Sequence, residues 1–209
     1  MPSLYNRLAG QNRERLAALS DGVFAVAMTL LVLDLRAPVY DAVHSERELA
    51  VALAALAPRF GTYLMSFLTL GIFWVGQQAQ LDRLARSDRD LGWIHLGFLF
   101  AVTLVPFSTA LLAEHMTYRV ALLVYWGNIL LLGALLYWTW SYAVKARLLK
   151  EDTPPEVSAA ICRRIVIAQS LYAFGAALCA INTYWSIAFI ALVQANYALA
   201  LSDRFRPGS

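Results

Sequence analysis

The chain has 209 residues, of which 60% are hydrophobic and 15% are charged, and its mean hydropathy is +0.56. Soluble domains are typically about 45–50% apolar and about 25% charged, so this composition excludes an ordinary soluble fold and also intrinsic disorder. The net charge of +3 is accounted for by membrane topology, so we expect a lipid bilayer and no nucleic acid as partner. The composition predicts an all-α, polytopic membrane protein.

Six apolar segments are long enough to cross a bilayer as helices, which takes about 20 residues. A short helix over residues 46–57 precedes the second span and ends at Pro58, and Pro106 predicts a kink in the third span. Asn182 and Thr183 join the last two spans into a tight antiparallel hairpin. The whole chain, 1–209, is predicted to be a single six-helix transmembrane domain, with spans at about 17–35, 60–77, 91–113, 120–144, 165–181 and 184–201.

The Lys and Arg residues outside the spans predict their orientation. Thirteen of the 17 lie on the side that holds both termini, and four lie on the opposite side. Both termini are therefore expected in the cytoplasm, and the protein in the cell membrane. Residues 145–164, with Pro154 and Pro155, are predicted to be a cytoplasmic linker. Aromatic residues near the span ends are expected to form interfacial belts: Tyr118, Tyr125, Trp126, Trp138, Trp140, Tyr142, Tyr184 and Trp185.

No motif in the chain indicates catalysis or a resident cofactor. Cys162 and Cys179 are 17 positions apart on one predicted helix, about 25 Å, which is too far for a disulfide. His44, His95 and His115 lie in different segments, and no metal-binding or nucleophile motif accompanies them. The sequence therefore predicts no enzyme, no catalytic residues and no cofactor.

The first predicted span is unusual because it carries polar side chains, Ser20, Asp21 and Thr29, where lipid would penalise them. An ionisable residue in a span usually faces a bundle interior, a partner or water. A purely structural role explains Asp21 equally well, since it lies near the cytoplasmic interface and is able to pair with Arg15 or with a neighbouring helix.

One face of this span forms a stripe of small, hydroxyl and aliphatic residues. Gly22, Val26, Thr29 and Leu33 follow one another at helical spacing, and Leu30 lies on their flank. Periodicity by itself favours ordinary helix packing for such a stripe. The stripe also suits a narrow, weakly polar pore that is lined by the same helix from several subunits and gated by dewetting of its apolar rings.

Residues 15–34 resemble the signature of the lysosomal potassium channel family, transmembrane protein 175 and its prokaryotic homologues. That signature, Arg-x-x-x-Phe-Ser-Asp-Gly, stands here with Leu19 in place of Phe. The Phe-Trp pair at 73–74 and the stretch 90–114 agree with the family as well. The resemblance covers residues 13–115, and the last three spans agree only in hydropathy.

The resemblance implies a potassium-preferring cation channel without the carbonyl-lined filter of ordinary potassium channels. Prokaryotic members are similar six-helix units that assemble as homotetramers, with the first helix of each subunit lining a central pore. It further implies an apolar constriction at Val26, Leu30 and Leu33, with Thr29 facing the pore and K⁺ near it. The family's polar network, which braces the first helix, falls on Arg15, Ser20 and Asp21.

The family often follows its Phe-Trp pair with two histidines, where this chain has Gln77 and Gln78. Glutamine is able to hydrogen-bond to Ser20 or Asp21, so Trp74, Gln77 and Gln78 are candidate partners of the network. Glutamine does not titrate, so any pH sensitivity that depends on those histidines is expected to be weaker or absent.

Two interpretations of Asp34, at the external end of the first span, remain open. Repeated in every subunit, it would concentrate cations at the pore mouth; otherwise it is a solvated acid at a helix end.

An apolar ring holds no strong ion site. A preference for potassium would then reflect the smaller cost of removing water from K⁺ than from Na⁺.

The alternative function is a proton-coupled or proton-permeable membrane transporter. Asp21 would carry the proton, and Gln77, Gln78, His95 and Asn128 would form its path. Against this, the chain shows no inverted repeat, and His95 and Asn128 are more typical of hydrogen bonds between helices.

Overall fold

The computed structural model describes residues 13–38 and 44–204, and its regular elements over these ranges are all helices, with one isolated β-bridge between Leu84 and Leu149. No β-strand occurs in them, so the all-α prediction is confirmed. The first helix, α1, covers Arg13–Leu30 and continues as a 3₁₀ turn over Leu31–Asp34. The other helices follow in chain order: α2 (Glu46–Ala55), α3 (Ala57–Leu81), α4 (Arg89–Thr103), α5 (Val105–Glu114), α6 (Arg119–Lys145), α7 (Pro155–Ala177, with a 3₁₀ turn over Leu178–Ala180) and α8 (Thr183–Arg204).

Four helical segments of the described chain are long and apolar enough to cross a membrane. They are α1 with its 3₁₀ turn, α4 with α5, α6, and α7 with its 3₁₀ turn. The pair α2 and α3 makes a fifth if it is one bent span. Five of the six predicted spans coincide with one long helix each, and the third coincides with the pair α4 and α5. Helix α8 is not among the segments above, so length and hydropathy support four or five crossings.

Two prolines interrupt the helices where the sequence predicts. Pro58 lies in the first turn of α3, which meets α2 at a bend of 44°. Pro106 lies in the first turn of α5, because its ring nitrogen has no hydrogen to continue the ladder of α4. The Asn128 amide of α6 bridges this break: in the orientation that satisfies both groups, it donates to the Ala101 carbonyl and accepts from the Val105 amide, each at 3.1 Å.

The linker predicted over residues 145–164 is wrong in its second half. Helix α7 begins at Pro155, with Pro154 as its N-cap residue, so residues 155–164 are helical. Proline is favoured in the first turn of a helix, where the missing N–H has no intrahelical partner to lose. A Pro-Pro pair therefore marks a helix start here, although it is equally typical of a linker.

Helix α6 lies at the centre of the bundle and contacts α4, α5 and α7. Helix α1 packs against α3 and α4, and the α7–α8 hairpin packs against α6 and α3. The hairpin is tight: Ser186 Oγ donates to the Gly175 carbonyl at 2.7 Å. A Cβ atom at Gly175 would crowd Phe189 and Ile190, so only glycine allows this approach.

Two aromatic residues assigned to the interfacial belts lie in the core instead. Tyr125 and Trp140 are almost fully buried, and each polar tip has a partner there. The Tyr125 hydroxyl lies 3.1 Å from Thr69 Oγ1, and Trp140 Nε1 donates to Ser158 Oγ at 3.1 Å. Because the polar atom of each side chain has a hydrogen-bond partner in the core, it does not need water at the membrane interface. Proximity to a helix end was therefore not sufficient to predict where these side chains lie.

Candidate functional site

Helix α1 has a buried face and an exposed face in the subunit. Ser20, Phe24, Ala27 and Leu31 are each at most 2% exposed and form the buried face, with the Phe24 ring 6.0 Å from that of Phe98 on α4. The exposed side includes the stripe residues Gly22, Val26, Thr29, Leu30 and Leu33, and Leu19, Asp21 and Val32 beside them are exposed as well. The face that hydrophobic packing leaves open is thus the one that the resemblance assigns to a pore.

Thr29 is the polar side chain within the exposed stripe, between the aliphatic side chains of Val26 and Leu33. Its hydroxyl donates to the Val26 carbonyl at 2.8 Å, so its single proton is used within the helix. The lone pairs of the oxygen remain available to accept a hydrogen bond from water or to coordinate a cation. Val26 is 58% exposed and Leu33 is 69% exposed, so neither is covered within the subunit.

A shallow groove runs along this face and ends beside Thr103, the last residue of α4. Gly22, Val26 and Leu30 line the groove together with Thr103. Sequence reasoning did not single out Thr103. A hydroxyl residue just before a proline-interrupted helix is the signal that would have found it.

Asp21 borders the stripe and is held by α3. Trp74 Nε1 donates to Asp21 Oδ1 at 2.8 Å, and Gln78 Nε2 donates to the same oxygen at 2.7 Å. Trp74 and Gln78 are four residues apart, so they lie on one face of α3. The sequence allowed either Arg15 or a neighbouring helix as partner of Asp21. The hydrogen bonds from Trp74 and Gln78 show that the neighbouring helix α3 is a partner.

Ser20 lies on the buried face, where three helices meet. Its hydroxyl donates to the Leu16 carbonyl at 2.8 Å, and its oxygen accepts from Gln77 Nε2 at 2.7 Å. His95 Nε2 lies 2.8 Å from Ser20 Oγ and 3.3 Å from Gln77 Nε2. These contacts tie α1 to α3 and α4. Together with the bonds of Asp21 they form what we call the α1 cluster: Ser20, Asp21, Trp74, Gln77, Gln78 and His95.

The other predicted residues of this helix lie at its ends. Arg15 is exposed in the first turn of α1, and Asp34 is half-buried at the end of the 3₁₀ turn. His95, which the sequence allowed as a proton-path residue or as a hydrogen-bond partner between helices, makes the interhelical contacts. Asn128 contacts α5 in the same manner, 3.2 Å from Ser108 Oγ.

A second polar cluster lies away from α1 and was not anticipated as a group. Gln194 Nε2 donates to Thr69 Oγ1 at 2.6 Å, and Thr69 Oγ1 lies 3.1 Å from the Tyr125 hydroxyl. Ser66 Oγ lies 3.3 Å from the same hydroxyl and accepts from Thr109 Oγ1 at 2.7 Å. All five side chains are at most 2% exposed. This Tyr125 cluster joins α3, α5, α6 and α8.

Comparison with known proteins identifies relatives that are named as ion channels. The family model described as the endosomal/lysosomal potassium channel TMEM175 matches residues 15–106. A protein of Chamaesiphon minutus named as a potassium channel is 33% identical over 189 residues, which cover 88% of this chain and 93% of that protein. A protein of Streptomyces collinus, also named as a potassium channel, is 43% identical over 102 residues, which cover 49% of this chain and 48% of that protein.

A human protein named as the endosomal/lysosomal proton channel TMEM175 is 33% identical over 89 residues, 40% of this chain and 18% of the human protein. Among solved structures, the crystal structure of a lysosomal potassium-selective channel TMEM175 homologue from Chamaesiphon minutus superposes with a TM-score of 0.79 at 31% identity. The superposition covers 90% of this chain and 97% of that chain, so the last three helices share the similarity as well.

Proposed function

The chain belongs to the TMEM175 family of endosomal/lysosomal potassium channels, and from this premise we propose that it is a potassium-preferring cation channel whose first helix lines the pore. The names of its bacterial relatives and its similarity to a solved potassium-selective channel support K⁺ as the permeant ion. One observation carries the position of the pore: the stripe on the exposed side of α1 is apolar except for Thr29, whose oxygen lone pairs are free to accept a hydrogen bond from water or to coordinate an ion.

In this proposal four subunits place their α1 helices around one axis. Val26, Leu30 and Leu33 form apolar rings that set the bore, and four Thr29 hydroxyl oxygens face a largely hydrated K⁺. Apolar rings have no oxygen atoms that could replace the water molecules that an ion loses. The preference therefore follows the cost of dehydration, which is smaller for K⁺ than for Na⁺, and the same rings close the pore when water leaves them.

The α1 cluster sets the rotation of the pore helix in this arrangement. Bonds from α3 hold Asp21 and Ser20 on two sides of α1, so rotation of α1 would break both sets. Arg15 belongs to the network at the cytoplasmic end, and Asp34 draws cations towards the external mouth. The role of the α1 cluster and of Arg15 is to position the stripe, and none of these side chains needs to enter the bore.

We further propose six crossings per subunit, with both termini in the cytoplasm and the protein in the cell membrane. The imbalance of Lys and Arg between the two sides of the predicted spans supports this orientation. The channel needs no cofactor, because passive conduction requires only a continuous water-filled path.

The test is potassium flux into liposomes that contain only the purified full chain. We expect a valinomycin-independent K⁺ flux that exceeds the Na⁺ flux. Val26→Ala widens the proposed constriction and should bring the two fluxes closer together. Val166→Ala is the matched control, because Val166 on α7 is 53% exposed, close to the 58% of Val26, but lies outside the stripe.

Absence of K⁺ flux from folded, reconstituted protein would contradict the channel. An equal response to Val26→Ala and Val166→Ala would contradict the position of the pore while leaving the channel intact. Cross-linking of the solubilised protein, followed by mass determination, tests the tetramer independently of flux.

A second candidate function is proton permeation, which the name of the human relative favours. The same liposomes, loaded with a pH-sensitive dye, measure it directly under a proton gradient. A proton flux that saturates with substrate and persists in monomers would instead favour a coupled transporter. His95→Gln tests whether His95 carries the proton. The substitution removes the titratable group beside Ser20 and leaves an amide that is able to hydrogen-bond there.

A further inference from the structure

A crevice of about 300 Å³ opens between α3 and the α7–α8 hairpin. Its α3 wall includes Ile72, Gly76 and Ala79, which share one helical face. Trp74 and Gln78, which hold Asp21, lie on the opposite face of α3. The crevice is therefore separate from the stripe and from the α1 cluster, and the proposed conduction path does not use it.

The lining of the crevice is apolar along most of its length. Phe73 of α3 and Ile165, Ala168 and Tyr172 of α7 form its sides, and Leu136 of α6 lies at its floor. Its volume is at the lower end of the range of about 300–1,000 Å³ typical of ligand pockets. An apolar crevice between α3 and the α7–α8 hairpin, in a bundle of membrane-spanning helices, suits a hydrocarbon chain.

One end of the crevice is polar and positively charged. The guanidinium of Arg164 lies 5.7 Å from the centroid of the Tyr197 ring, and both side chains line the crevice. Gln80, which is 3% exposed, lines it too, and its amide oxygen has no hydrogen-bond partner among the described residues. An arginine at the mouth of an apolar crevice provides charge complementarity for a phosphate, and a headgroup hydroxyl is able to donate to an amide oxygen.

We propose that this crevice binds one acyl chain of an anionic phospholipid, with the lipid phosphate at Arg164. Arg164 follows Arg163 at the end of the region that the distribution of basic residues places on the cytoplasmic side. Basic pockets between helices on that side are suited to anionic headgroups, because that leaflet carries negative lipids. The proposal goes beyond ion conduction and does not depend on it.

The test uses the purified full chain in detergent, with bound lipid counted by native mass spectrometry. Dioleoyl phosphatidylglycerol is compared with dioleoyl phosphatidylcholine, which has the same chains but no net charge. We expect the tightest-bound phosphatidylglycerol to have an affinity about fivefold higher than phosphatidylcholine, and Arg164→Gln to remove this difference. Arg163→Gln is the matched control, since Arg163 is the adjacent exposed arginine and is absent from the crevice lining.

Ala168→Phe tests the chain-binding part, because the added ring fills the crevice without a change of charge. It should weaken the binding of both lipids, while glycerol 3-phosphate, which has no acyl chain, should not displace phosphatidylglycerol from the wild type. Equal effects of Arg163→Gln and Arg164→Gln, or full binding by a folded Ala168→Phe protein, would overturn the proposal. Circular dichroism establishes whether each variant is folded. If Ala168→Phe does not fold, the comparison of Arg163→Gln with Arg164→Gln decides whether the crevice binds the lipid.

Discussion

Two polar clusters in the described part of the bundle use similar hydrogen bonds, and we propose different roles for them. The α1 cluster joins the first helix to α3 and α4 and includes Asp21, an exposed carboxylate. The Tyr125 cluster joins α3, α5, α6 and α8 through hydroxyl and amide groups that are almost fully buried. The chemistry of a cluster thus does not reveal its role, whereas its position relative to the exposed stripe of α1 does.

The environment of each cluster explains the difference. Within a bilayer no water is available to buried polar groups, so the Tyr125 cluster must satisfy itself internally, and it serves to join helices. The α1 cluster also joins helices on its Ser20 side, and in the proposed channel it has the further role of setting how α1 is rotated. Variants of the Tyr125 cluster should therefore change stability alone, and variants of the α1 cluster should change both stability and permeation.

The largest expected effect is from Thr69→Val in the Tyr125 cluster. The substitution keeps the shape but leaves Gln194 Nε2 and the Tyr125 hydroxyl without their shared partner, so the free energy of unfolding should fall by about 1–2 kcal/mol. Titration with a denaturing detergent, followed by circular dichroism, measures it. Thr139→Val is the control, because among the described residues that hydroxyl bonds only to the Leu135 carbonyl of its own helix. Equal losses would show that the shared contacts contribute nothing.

The next prediction compares two serines that are both 0% exposed, Ser20 and Ser66. Ser20→Ala removes the contacts with Gln77 and His95, and Ser66→Ala removes those with Tyr125 and Thr109. Each should lower the free energy of unfolding by about 1 kcal/mol. Only Ser20→Ala should change the ratio of K⁺ flux to Na⁺ flux in liposomes, because Ser20 lies on α1 and is proposed to position the stripe, whereas Ser66 lies on α3, away from it. A changed ratio in Ser66→Ala would erase the distinction between the clusters.

A smaller effect is expected from Asp21→Asn. The amide oxygen still accepts from Trp74 and Gln78, so the free energy of unfolding should change by less than about 0.5 kcal/mol. Loss of one negative charge per subunit beside the pore should lower K⁺ flux at low salt, and the difference should shrink as salt screens the charge. Glu156→Gln, an exposed acid at the start of α7, is the control. A deficit that is unchanged by salt would argue against an electrostatic origin.

The smallest effect is expected from pH. Gln77 and Gln78 stand where the family often has histidines and do not titrate, so K⁺ flux should be nearly constant from about pH 7.5 to about pH 6. Gln78→His should introduce a decrease in flux as pH falls through about 6.5, because each imidazolium offsets the charge of Asp21 beside it. A strong pH response of the wild type would assign sensitivity to another group, with His95 as the first to substitute.

Much of the fold could be predicted from the sequence because hydropathy and proline are local signals. The break at Pro58, the interruption at Pro106 and the turn around Asn182 all lie where the sequence places them. The prediction was wrong for residues 155–164 and for Tyr125, where one local signal has two structural meanings. A proline pair begins a helix as readily as it fills a linker, and a tyrosine near a helix end points to the interface or into the core according to where its partner lies.

In the candidate site, too, features within one helix could be predicted from the sequence and contacts between helices could not. The stripe from Gly22 to Leu33 could be recognised from helical period alone, since it belongs to one helix. The place of Thr103 beside the groove and the composition of the Tyr125 cluster could not, because they depend on how separate helices are rotated against one another.

The sequence by itself determined a helical membrane protein, an unusual first helix and the face of that helix that carries the stripe. These properties follow from composition and from a 3.6-residue period, which neighbouring residues specify without reference to the rest of the chain. Only the tertiary structure decided which polar groups meet. Asp21 and Trp74 are 53 positions apart, and Thr69 and Gln194 are 125 apart. Such pairs form only when packing brings distant helices into register, and lipid offers their polar atoms no other partner.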